Sequence, residues 1–87
     1  MTTLETVTSA LNDFYQPSRP SKGSIDAKIA AILDQAIEGN LAGTAAFWKV
    51  GIYLTDSYGS VYSARTAAVV ILTELGIPFV LPVDETS

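Results

Sequence analysis

Leu4, Val7, Leu11, Phe14 and Tyr15 recur at three- and four-residue intervals, with Thr6, Thr8, Asn12 and Asp13 between them. That spacing gathers the apolar side chains on one face, and it predicts a helix over residues 3–15. Thr2, with Glu5 three positions on, supplies a capping box at its start. The plain use of such a face is packing into a core.

The pattern breaks at Gln16-Pro17-Ser18-Arg19-Pro20-Ser21-Lys22-Gly23. Two prolines restrict the backbone and remove amide donors, so residues 16–23 are expected to be a linker. This is also the most basic stretch of the chain. Its plain reading is a solvated connector, and its sharper one a docking loop for an acidic partner. A second helix is expected over 24–38, with Ser24 as cap and Asp26 in its first turn. Ile25, Ile29, Ile32, Leu33, Ala36 and Ile37 form its apolar face, and Asp26, Lys28, Asp34, Gln35 and Glu38 lie largely off it. Gly39-Asn40 tolerates the left-handed conformation that ends helices.

Residues 47–55 fit two periods. As a strand, Trp48, Val50, Ile52 and Leu54 alternate with Lys49, Gly51, Tyr53 and Thr55, and the residue types are largely β-branched and aromatic. As a helix, Phe47, Val50, Leu54 and Tyr58 would share a face, against a cost of about 1 kcal/mol for Gly51 in mid-element. The strand is the expectation. A loop around Asp56-Ser57-Tyr58-Gly59 follows, then a helix over 60–75 with Ser60 as cap. Gly76 and Pro78 stop that helix. Phe79-Val80-Leu81 reads as a short strand over 78–83, ahead of a tail at 84–87.

These elements predict an α+β fold of two N-terminal helices and a strand-helix-strand unit. The alternative is an all-α bundle with an extended C-terminal tail. A β-α-β unit would be right-handed with parallel strands. Two parallel strands alone leave unpaired amides and carbonyls on both edges, so the small sheet is expected to be completed by association. Composition strengthens that expectation. The chain has 87 residues, 48% hydrophobic and 16% charged, enough for one small domain. Between Ala42 and Val83 the only charges are Lys49, Asp56, Arg65 and Glu74. Trp48, Tyr53, Phe79, Val80 and Leu81 are the expected interaction surface, facing a second copy or a protein partner.

Charge and residue chemistry narrow the function by exclusion. The net charge is −4 and the five basic residues are scattered, which does not suit nucleic-acid binding. There is no cysteine and no histidine, so thiolate chemistry and the commonest general base and metal ligand are missing. No cofactor, no metal site and no enzymatic activity are expected. No secretory signal and no apolar run long enough to span a membrane is visible, and a cytoplasmic location is the default. Asp56, Tyr58, Ser60 and Arg65 form a possible anion or small-molecule loop, although the loop lacks nucleotide-binding glycine spacing and lysine. Its plain reading is a loop with partly buried tyrosines and Arg65 paired to a carboxylate.

Glu38-Gly39, then Phe47-Trp48-Lys49-Val50-Gly51-Ile52-Tyr53-Leu54, then an alanine-rich helix, resembles an accessory α+β segment of bacterial DNA-translocating and conjugation ATPases. The likeness covers about 40 residues. The nucleotide-binding motifs of those ATPases are absent, so the resemblance assigns no functional residue. The expected function is a non-enzymatic interaction or assembly module that self-associates or docks into a larger complex. Two alternatives accompany it: a small-molecule or anion-binding domain using the 55–60 loop, and, if 45–55 is helical, a phage or virion component or a small inhibitor.

Overall fold

The computed structural model describes residues 2–16, 19 and 22–80. Four helices follow one another: α1 (Thr3–Tyr15), α2 (Lys22–Ile37), α3 (Gly43–Tyr58) and α4 (Val61–Glu74). Among the described residues there is no strand and no sheet, so the protein is a helical bundle and not α+β. This is the helical bundle of the all-α alternative, whose extended C-terminal tail falls largely outside the described residues.

Four helix boundaries follow from local chemistry as expected. Thr2 Oγ1 accepts from the Glu5 amide at 3.1 Å, and Glu5 Oε1 accepts from the Thr2 amide at 2.8 Å, closing the capping box. The Thr2 amide first, and then the Thr2 hydroxyl, hold the Glu5 carboxyl below its ordinary pKa. Ser60 caps α4 by accepting from the Ser63 amide. At its far end Gly76 takes φ +71°, its amide reaches Thr73 O, and the Ile77 amide reaches Leu72 O. That pair of bonds satisfies carbonyls the last turn would leave open. Gly39 closes α2 in the same way, with bonds to Ala36 O and from Asn40 to Gln35 O. The start of α2 differs: the helix begins at Lys22, which places Ser24 inside its first turn rather than ahead of it.

The correction falls on 47–55. A strand would put Trp48, Val50, Ile52 and Leu54 on one face. In the structure Val50 and Leu54 are fully buried while Ile52, between them, is 60% exposed. Burial instead follows Phe47, Val50 and Leu54, with Ala46 and Gly51 beside them, which is the helical period. The energetics account for this. Weak helix propensity costs at most about 1 kcal/mol at Gly51 and tenths elsewhere. Burying Phe47, Val50 and Leu54 returns about 1.5–3 kcal/mol each. They find a partner in α4, whose Ala64, Ala67 and Ala68 are buried and small enough to let a helix approach closely.

The second expected strand is not formed over its described residues, 78–80. Residues 77–80 have no regular structure, and Leu81, with the rest of the expected 78–83 strand and the 84–87 tail, lies outside the described residues. The described part packs back on α3. Phe79 stacks on Phe47 with centroids 5.1 Å apart and planes at 7°, and the Val80 amide donates to Thr44 Oγ1 at 3.0 Å. Gly43 makes this possible, because a Cβ there would run into the Pro78 carbonyl oxygen.

Packing runs α1 on α2, α2 on α3, α3 on α4, and α4 back on α1. The radius of gyration is 12.3 Å, close to the ~12 Å expected of a compact chain this long. A closed ring of helices thus covers one continuous core from Val7 to Ile77. The small sheet that association was expected to complete is absent among the described residues.

Candidate functional site

The bundle leaves apolar surface exposed in more than one place: Phe14 and Val70 border a groove between α1 and α4, and Ile52 marks the outer face of α3. Ile52 stands as a ridge on it, with a groove on either side. Toward α4 the groove holds about 230 Å³. Phe47 and Gly51 form its floor, Trp48, Ile52 and Val61 its walls, and Thr55, Asp56 and Arg65 its rim. Toward α2 a shallower groove is bounded by Ile32, Lys49, Ile52, Tyr53 and Asp56. Val61, 52% exposed, extends the apolar surface onto α4.

The aromatic rings of this face hold cations. The Arg65 guanidinium lies over the Trp48 ring, 5.0 Å from its centroid, and Lys28 Nζ lies 5.9 Å from that of Tyr53. Arg65 therefore stacks on an indole, and among the described residues it forms no ion pair with a carboxylate. Such contacts are worth about 0.5–1 kcal/mol at exposed sites, and they keep the charges at the apolar surface. Lys49 and Asp56 are exposed, seven positions apart on the same helix face.

The residues expected to form an interaction surface are divided by the fold. Trp48 and Tyr53 lie half-buried on either side of the Ile52 ridge. Phe79 is half-buried against Phe47, and Val80 beside it is 69% exposed. The residues of the expected anion loop are likewise spread. Asp56 and Arg65 share the α3–α4 groove. The Ser60 hydroxyl caps α4. Tyr58 points toward α1, stacking on Tyr15 with centroids 4.4 Å apart.

Tyr58 leads into a network that the sequence reading missed. Arg19, expected in a solvated connector, is buried. Its Nη1 donates to Asp26 Oδ1 at 2.8 Å and its Nη2 to Asp26 Oδ2 at 2.7 Å, a two-pronged ion pair with side chains 1% and 3% exposed. Arg19 also donates to Asn12 Oδ1 and Tyr58 Oη, and Thr8 donates to Asp26 Oδ2. Burial lowers the Arg19 pKa, but the hydrogen bonds to Asp26 and Tyr58 and the adjacent negative charge outweigh it and leave it raised. One signal was present in the sequence: Asp26 precedes Ala30 by four positions and Leu33 by seven, which puts it on the buried side of α2. The network ties Arg19 to α1, α2 and α3, and none of its residues lines either groove beside Ile52.

Among the described residues no cluster of three or more acidic side chains is placed to hold a metal ion. No described helix is long and apolar enough to cross a membrane. No protein-family model, no curated protein and no solved structure matches this chain.

Proposed function

We propose that this chain is a non-enzymatic protein-interaction module and that the outer face of α3 is where it docks. The observation that carries this reading is Ile52, a large aliphatic residue 60% exposed between two apolar-lined grooves. A ridge with a groove on each side is the shape a packed helix surface offers to another helix. Aromatic walls with charges at the rim suit a protein partner. The helical state of 45–55 meets the condition attached to the narrower reading, a virion component or small inhibitor, and either would work through such a face.

The test is site-directed photo-crosslinking in the cells that make the protein. A photoreactive phenylalanine analogue replaces Ile52 in one variant and the exposed Thr73 of α4 in a control. Discrete adducts at position 52 and none at 73 are the expected result. Equal or absent labelling at the two positions would overturn the proposal.

A further inference from the structure

The chain carries a net charge of −4, yet its cations are not distributed evenly. Of the cationic side chains the structure describes, Arg19 is buried in its ion pair, and Lys28, Lys49 and Arg65 all border the outer face of α3. Asp56 is the one acid lining either groove. The exposed cations among the described side chains thus gather around one apolar surface of an acidic molecule.

We infer that the occupant of this face is an acidic amphipathic segment of another protein, one that lays an apolar stripe along the Ile52 ridge with carboxylates toward Lys28, Lys49 and Arg65. Charge complementarity selects this partner over two others. A second copy would bring the same cations against these, and like charges across an interface oppose association. A nucleic acid would meet three cations spread around apolar grooves rather than a continuous basic track. Two of the cations are already held over aromatic rings, which lowers the cost of ordering them on binding. The inference rests on the docking role proposed above and adds to it the chemistry of the partner.

Trp48 is the chain's single tryptophan and it lines the groove, so its fluorescence reports occupancy directly. The full chain is titrated with a synthetic amphipathic helix of leucines and glutamates, with the same peptide carrying lysine for every glutamate, and with a poly-thymidine oligonucleotide. The glutamate peptide is expected to give a saturable change that weakens at least about tenfold between ~50 and ~300 mM salt. Lys49→Glu, a change on an exposed position, is expected to weaken it by about tenfold or more while the helical circular-dichroism signal stays unchanged. The lysine peptide should give no saturable change.

Equal or tighter binding of the lysine peptide, or an unaltered affinity in Lys49→Glu, would overturn the inference. Tighter binding of the oligonucleotide would replace the protein partner with a nucleic acid. A doubling of the solution mass that Lys49→Glu leaves intact would replace it with a second copy. Crosslinks at position 52 with no response to the glutamate peptide would refute the acidic partner alone. Silence in both experiments would remove the docking role as well.

Discussion

Arg19 and Asp26 form a buried pair, although the composition around Arg19 marks that residue as solvent-exposed. Both side chains are almost fully enclosed, and the guanidinium fork matches the carboxylate with two short bonds. Removing one partner strands a buried charge, which in comparable settings costs about 3–5 kcal/mol. Arg19→Met is therefore expected to lower stability by roughly that amount in urea unfolding. The double variant Arg19→Met, Asp26→Leu should recover most of the loss, because no lone charge remains. A double variant as unstable as the single one would show that the pair's wider hydrogen bonds, not its charges, carry the stabilisation. Tyr15 presents the opposite case. Its hydroxyl is buried with no hydrogen-bond partner, so Tyr15→Phe is expected to be neutral or to stabilise by up to about 1 kcal/mol in the same assay. Burial first, then the neighbouring Tyr58, raise its pKa above the ordinary tyrosine value of 10.0. The folded state then holds that proton more tightly than the unfolded one. Stability from this group is complete below pH 10 and is lost as pH rises through the folded pKa. A wild-type melting temperature that drops above pH 10, with a smaller drop in Tyr15→Phe, is the expected outcome.

At the scale of the element, Gly51 and Gly43 look alike in sequence and differ in the fold. Gly51 lies inside α3, and a Cβ there would meet nothing within 4 Å. Gly51→Ala should stabilise the protein by up to about 1 kcal/mol, measurable as a higher urea midpoint. Gly43 sits at the start of α3 where residues 77–80 pass, and a Cβ there would meet backbone. Gly43→Ala is expected to cost about 1–3 kcal/mol as the segment is pushed off. The same contrast explains what could be read in advance. Helices α1, α2 and α4 were legible because each has one apolar period and recognisable end signals, such as Thr2 with Glu5, Gly39-Asn40, Ser60 and Gly76. The third was not, because its residue types favour strand while its burial follows Phe47, Val50 and Leu54. Which period governs is decided by α4, over a separation that no local window covers. Read as a strand, the segment puts Lys49 and Ile52 on opposite faces, whereas the helix brings them onto neighbouring outward positions. The functional face was thus half legible. Trp48, Tyr53, Asp56 and Arg65 stood out by type, whereas Ile52 and the paired grooves emerge only once 43–58 is wound into a helix.

At the scale of the whole molecule, closure of the helix ring changes what association would require. An open sheet edge would have made a partner part of folding, with no stable monomer in its absence. A bundle with its own continuous core places no such demand, and docking on α3 becomes an event of the folded chain. The distinction can be measured. Urea unfolding of the isolated protein is expected to be cooperative, with a midpoint independent of protein concentration over a hundredfold range. A midpoint that rises with concentration would mean that folding and self-association are linked, and that the core seen here is completed by a second chain. The exposed face bears on the same question from the other side. Substituting Ile52 by Asp removes an apolar side chain already 60% in solvent, so it should change stability by no more than about 0.5 kcal/mol. The same substitution should abolish crosslinking from the neighbouring position 49. Loss of docking without loss of stability separates a residue kept for a partner from one kept for the core, and a large stability loss in that variant would place Ile52 in the second group.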